Sequence, residues 1–207
     1  MNNFMIDIRN KTNVLHKAAE SSGFTKKLLN KEASKESYIE YIYNLYFVYE
    51  AIEHNLDKLE NNESVKPFVT KEIYRAAEIK KDIEALNKDN SIEKLASTIA
   101  YVDRINSIVE KNPKYIIAHA YTRFLADLFG GRIFYSILQE HYNLEDTSLN
   151  YYVYKDLKDM KAYVMNYHNM LNTLELTDAE KEEFLIEISN SYIYNMAMSN
   201  ELDAKNN

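Results

Sequence analysis

The 207 residues include no cysteine, only three glycines and only two prolines. Without thiols there are no disulfides, no thiolate metal sites and no cysteine nucleophile, which fits a reducing cytoplasm. So few glycines and prolines cannot supply the turns of a β protein. No apolar run approaches the roughly 20 residues needed to cross a bilayer. The N-terminus lacks the basic start and apolar block of a signal peptide, and residues 201–207 form a mostly polar tail. There is no Gly-rich phosphate loop and no Gly-x-Ser-x-Gly elbow. None of the five histidines has a glutamate three residues before it, which removes the carboxylate-bridged di-iron bundle. A net charge of −7 argues against general binding to nucleic acid.

What is present is a 46% hydrophobic chain rich in Ala, Leu, Glu, Lys and Ile at helical spacing, enough for one well-buried all-α domain. The expectation is a cytoplasmic protein without a membrane anchor, with one domain over 1–202 and a polar tail at 203–207. Helices are expected at about 3–20, from Ser34 to about 59, over 71–86, from a cap at Ser91 to Asn112, from Pro113 to about 142, over 152–172, and over 178–201. Gly23 should end the first of these, with a short helical turn after it. Thr177 and Glu180 form a capping box for the last. Charge is uneven: residues 1–35 carry seven basic and three acidic groups, leaving −11 on the remainder. A basic segment on an acidic body could receive an anionic ligand or an acidic partner, or present ordinary solvated faces.

The middle helix holds two of the three glycines, Gly130 and Gly131, side by side in its interior. Together they cost roughly 2 kcal/mol relative to alanine and favour a bend. Stepping by four gives Ala118, Thr122, Ala126 and Gly130, a row almost without bulk. The next row is His119, Arg123, Asp127 and Gly131, in which Arg123 can reach Asp127 and hold it ionised. A smooth row beside a carboxylate suits a flat apolar ligand with a polar reaction at its face. A tight helix–helix crossing with a structural ion pair fits the same residues. On the first helix His16 sits beside the apolar side with Glu20 one turn on. A histidine there is commonly a satisfied core residue, yet Glu20 could bond one ring nitrogen and leave the other free to ligate a metal.

Four stretches carry a family resemblance: Ala120-Tyr121-Thr122-Arg123-Phe124-Leu125-Ala126-Asp127-Leu128-Phe129-Gly130-Gly131, Leu15 to Glu20, Leu45 to Glu53, and Asn172 to Thr177. In order and spacing the chain resembles the heme oxygenase family over roughly 5–200. The resemblance implies a helical bundle with haem sandwiched between a proximal helix and a kinked distal one. His16 would be the axial iron ligand, oriented by Glu20. Gly130 and Gly131 would let the distal backbone lie against the macrocycle, and Asp127 would order the water that bonds dioxygen. Tyr49, Arg123, Tyr101 and Asn195 match positions of the family's polar network. Tyr121 matches a pocket-lining position, and Arg9 and Tyr192 match haem contacts. Haem would be both cofactor and substrate, opened to biliverdin, ferrous iron and carbon monoxide. Electrons would come from a partner such as an NADPH-dependent reductase, flavodoxin or ferredoxin.

The chain also departs from the family pattern. Ala126 stands where the signature has a glycine, and Phe129 where it has a serine. Asn13 replaces a basic residue, and Val164 and His168 occupy positions that usually meet the propionates, with Lys161 as a substitute. A haem-binding or haem-delivery protein with little turnover is the alternative expectation. A thiaminase-like enzyme is excluded because that chemistry needs a cysteine.

Overall fold

The computed structural model describes residues 3–86 and 92–206, so the expected loop at 87–91 and the Ser91 cap lie outside the described residues. Eight α-helices are found among them, with no strand: α1 Phe4–Glu20, α2 Gly23–Leu29, α3 Lys35–Lys58, α4 Ala76–Leu86, α5 Ala96–Lys111, α6 Ile116–Glu140, α7 Met160–Thr173 and α8 Asp178–Lys205.

The core forms because α6 is buried on every side in its first half. Ile116 to Ala120 and Thr122 to Leu125 are all covered, as expected of a helix apolar all round. α8 covers α6 more than any other element does, and packs also on α1, α2, α3 and α5. Fully buried Tyr38, Ile42, Leu45, Tyr49 and Ile52 line the inner side of α3. α7 packs on α1 and on the 3-10 turn Lys66–Phe68.

Local signals set several ends. The Ser34 hydroxyl accepts from Ser37 N at 3.0 Å and starts α3. The Thr177–Glu180 capping box forms in both directions, at 2.8 and 3.2 Å. Gly23 has a different role from the one expected. α1 is already over at Glu20, and Gly23, at φ +36°, opens α2. A Cβ there would lie 2.4 Å from the Ser199 carbonyl oxygen, so only glycine lets α2 press onto α8.

Five expected boundaries are corrected, each by a group far away in sequence or by local turn geometry. The helix expected to follow a Ser91 cap begins only at Ala96, where the Glu201 carboxylate accepts from the amides of Ala96 and Ser97. Residues 71–75 are not part of α4. The Glu53 carboxylate accepts from the amides of Arg75 and Ala76, at 2.5 and 3.0 Å, and fixes the start of α4 there. The expected helix at 152–172 begins only at Met160, because Asp82 holds the amides of Asn150 and Tyr151, each at 2.8 Å, in a 3-10 turn. Pro113–Tyr115 is likewise a 3-10 turn, with α6 proper starting at Ile116. The tail expected from residue 203 is helical to Lys205, where α8 is tied down by a Lys205–Glu40 ion pair and a 2.6 Å Lys27–Asp203 pair.

Candidate functional site

A cavity of about 380 Å³ opens between α1 and α6. His16, Ala19 and Glu20 form one wall. Thr122, Ala126 and Gly130 form the facing wall, flanked by Arg123 and Asp127. α2 contributes Thr25 and Leu29, α3 contributes Tyr41, and α8 contributes Tyr192, Asn195 and Met198. The small-residue row therefore faces open space, and the crossing that would explain it structurally is absent along those three residues.

The two glycines separate. A Cβ on Gly130 would meet nothing within 4 Å, whereas one on Gly131 would come 3.1 Å from the Tyr152 ring. Neighbours on a helix point about 100° apart, so Gly130 bares backbone to the cavity and Gly131 admits Tyr152 behind it. Expected to share a ligand surface, they serve different neighbours. Ala126 places its methyl on the cavity wall. Phe129 is 56% exposed and lies outside the lining.

His16 is not a core histidine: its side chain is 48% exposed. Nδ1 lies 3.6 Å from a Glu20 carboxylate oxygen, and the Tyr192 ring meets the imidazole edge to face at 6.0 Å. Opposite, Arg123 Nη2 donates to Asp127 at 2.5 Å and Nη1 donates to Asn195 Oδ1 at 2.7 Å. The Tyr49 hydroxyl also donates to Asp127. Burial alone would lower the Arg123 pKa, but Asp127 and the surrounding hydroxyls hold it well above its ordinary value. Burial and the Asp127 charge push Tyr49 well up, so it stays a donor.

Tyr101 is fully buried behind this pair, stacked on Tyr194 at 5.1 Å and bonded to Ser191 Oγ at 2.6 Å, and does not border the cavity. Tyr121 is half-buried, also outside the lining, and burial raises its pKa while the Arg9 charge acts against the rise. Arg9 itself is exposed on α1. Lys161, Val164 and His168 do not reach the cavity lining, and Val164 is buried in the core.

His119, an alternative ligand by residue type alone, is fully enclosed by Tyr101 and Glu187 and has no access to the cavity. Sequence reasoning missed Tyr41, Thr25 and Leu29. Tyr41 lies two helical turns before Tyr49, and Thr25 and Leu29 one turn apart, which is the signal that could have found them.

The donor set suits one planar metal complex. Among the described residues no three His, Asp or Glu side chains gather as a metal site, so His16 could ligate a metal only as a lone donor. A flat macrocycle would bring the other ligands of such a metal itself, and the uncovered Gly130 backbone is the cradle that a Cβ would fill.

Residues 2–201 match the family model described as Heme oxygenase, and the chain belongs to that family. It is 34% identical over 202 residues to the heme oxygenase of Porphyra purpurea, covering 96% of this chain and 86% of that one. It is 32% identical to heme oxygenase 1 of Synechocystis, covering 97% and 85%. The crystal structure of the Synechocystis heme oxygenase-1 in complex with heme superposes with a TM-score of 0.93 at 32% identity, over 98% of this chain and 93% of that one. The heme oxygenase of Leptospira interrogans gives 0.90 at 29%, over 96% and 99%. Among the described residues no helix is long and apolar enough to cross a membrane.

Proposed function

We propose that the protein is a heme oxygenase that binds haem in the α1–α6 cavity, with His16 as the single protein ligand to iron. Bound haem supplies both the iron that activates dioxygen and the ring that is opened, giving biliverdin, ferrous iron and carbon monoxide. The Glu20 carboxylate, 3.6 Å from His16 Nδ1, favours the ring proton on that nitrogen and so leaves Nε2 as the ligating nitrogen. Gly130 lets the α6 backbone lie along the ring face. Asp127, held between Arg123 and Tyr49, can only accept from water. It therefore orders a water at the reacting face without placing an acid there, which steers chemistry to the ring edge. Arg9 and Tyr121 serve as further haem contacts, and Tyr192 packs beside the imidazole. The observation that carries this reading is one cavity with His16 on one wall and Gly130 beside Asp127 on the other.

Electrons are delivered by a reduced partner, a reductase, flavodoxin or ferredoxin, docking on the basic residues of the first 35. We place the reaction in the cytoplasm, where such carriers are reduced. The test is aerobic turnover of haem-loaded protein with a reductant, followed by product chromatography. Biliverdin is expected, and a Soret band unchanged after many equivalents of reductant would overturn the reading.

A second reading, haem carriage with slow turnover, is favoured by one observation, the Ala126 methyl on the cavity wall. Ala126→Gly separates the two. If the methyl crowds the ordered water, biliverdin yield rises severalfold, at a stability cost of about 1 kcal/mol. Unchanged yield would show that the methyl does not crowd that water.

A further inference from the structure

The chain holds 18 tyrosines, and four of them form a row that starts at the cavity and ends at the surface. From Tyr49, which donates to Asp127, the row passes to Tyr151, with ring centroids 5.7 Å apart, then to Tyr152 at 4.7 Å, and then to Tyr135 at 6.4 Å. The first three are buried, and Tyr135 is partly exposed on α6. Gly131 keeps Tyr152 in line, because a Cβ there would come 3.1 Å from that ring.

The ends of the row differ from its middle. A tyrosine gives up an electron readily only where its phenol proton can leave at the same moment. At both ends a carboxylate is in place to take that proton: Asp127 for Tyr49, and Asp146 for Tyr135, at 2.8 Å. The bond to Asp146 holds the Tyr135 phenol above its ordinary pKa, so the proton stays until the electron goes. Asp146 is exposed and can hand that proton to water. In the middle, burial pushes the Tyr151 and Tyr152 phenols well up. The Tyr151 hydroxyl faces the Tyr49 hydroxyl at 3.5 Å, and the Tyr152 hydroxyl makes no hydrogen bond among the described residues. These two rings can pass an electron along, but nothing beside them stabilises its loss.

Resting on the haem reading above, we propose that the row is an electron path that gives the protein a second activity, the peroxide-driven oxidation of Tyr135. Hydrogen peroxide reduced at the haem takes two electrons and two protons and leaves two waters. Each electron comes from one Tyr135, through Tyr152, Tyr151 and Tyr49, and the matching phenol proton goes to Asp146. A neutral phenoxyl remains at the surface. Two of these, on two molecules, couple through a bond between ring carbons, the displaced ring hydrogens move to the oxygens, and a dityrosine-linked dimer results. Oxidation is thereby carried out of the cavity, away from the Met198 thioether on its wall.

A second run of rings supplies a control. Tyr49 to Phe124 is 5.9 Å, Phe124 to Tyr74 is 6.0 Å, and Tyr74 donates to Asp57 at 3.1 Å. Spacing and carboxylate match the first row, but Phe124 has no phenol and resists oxidation, so this run carries no current.

The test mixes haem-loaded protein with hydrogen peroxide in the absence of any reductase. A tyrosyl signal in freeze-quenched electron paramagnetic resonance is expected, with a dityrosine-linked dimer mapped by mass spectrometry to Tyr135. Tyr135→Phe should abolish the dimer, and Tyr74→Phe should leave it at the wild-type level. Tyr152→Phe keeps the ring and removes a hydroxyl without a partner, so it should fold normally and cut the dimer severalfold. A wild-type dimer level in Tyr152→Phe, or cross-links that map to Tyr74 and not to Tyr135, would overturn the proposal. Haem absorbance is recorded before peroxide is added, and biliverdin is measured on a separate sample given reductant. A wild type that makes biliverdin but no Tyr135 cross-link sinks this proposal alone. One that takes up haem and cross-links through Tyr135 without making biliverdin sinks the oxygenase reading alone, and one that takes up no haem sinks both.

Discussion

A histidine with nearly half its surface in solvent gives little to packing, so a structural reason for His16 is hard to find. Substitutions at such sites usually change stability by no more than about 0.5 kcal/mol. His16→Ala should therefore keep its circular dichroism and melting temperature while losing the histidine-ligated haem spectrum. A spectrum that survives would move the ligand elsewhere, although His119 is walled off from the cavity. Asp127 differs, because it is a partly covered carboxylate wedged between Arg123 and Tyr49. Asp127→Ala should bind haem as tightly as the wild type and open the ring about 10²-fold more slowly, read as biliverdin formed per minute. It should also lose more stability than His16→Ala, because Arg123 is left buried without its counter-charge. The split between Gly130 and Gly131 was beyond sequence reasoning: the pair is visible as an oddity, but only the position of Tyr152 shows which glycine faces the cavity.

Between elements, the contact that tolerates least is α2 against α8. Gly23 has both a positive φ and no space for a Cβ, whose nearest neighbours would be the Ser199 and Asn200 backbone rather than a side chain that could turn away. Gly23→Ala should cost about 2–3 kcal/mol, seen as a lower urea midpoint. Since Thr25 and Leu29 line the cavity, haem affinity should fall with it. An unchanged midpoint would mean that α2 slides freely on α8. What the sequence revealed about the helices follows the same division between local and distant causes. The Thr177 box and the Ser34 cap were readable because cap and capped amide are three residues apart. The starts of α4 and α5 were not, because their caps are Glu53 and Glu201. Glu53 is 22 residues from Arg75, and Glu201 reaches the amides of Ala96 and Ser97 from over 100 residues away, at 3.0 and 2.8 Å. The cavity wall was legible for the opposite reason: Thr122, Ala126 and Gly130 lie on one helix at one spacing, so the row exists before the chain folds.

At the scale of the whole molecule, Glu187 holds three helices at one buried point, with Arg104 from α5, His119 from α6 and Asn190 from its own α8. Its folded carboxyl sits at about 2, below the ordinary value of 4.5 for the unfolded chain. A depressed carboxyl adds stability that is fully present above about pH 4.5 and is lost as the pH falls toward 2, because the unfolded chain takes up the proton first. Glu187→Gln removes that stabilisation and strands the His119 and Arg104 donors, so near neutrality it should cost about 3 kcal/mol. Below pH 4.5 the wild type surrenders the same advantage, and the two unfolding midpoints should converge. Urea titrations of both proteins at a series of pH values from 7 down to 3 would measure the gap. A gap that stays constant over that range would mean that the carboxylate charge is not what ties α5, α6 and α8 together, and that shape alone holds them.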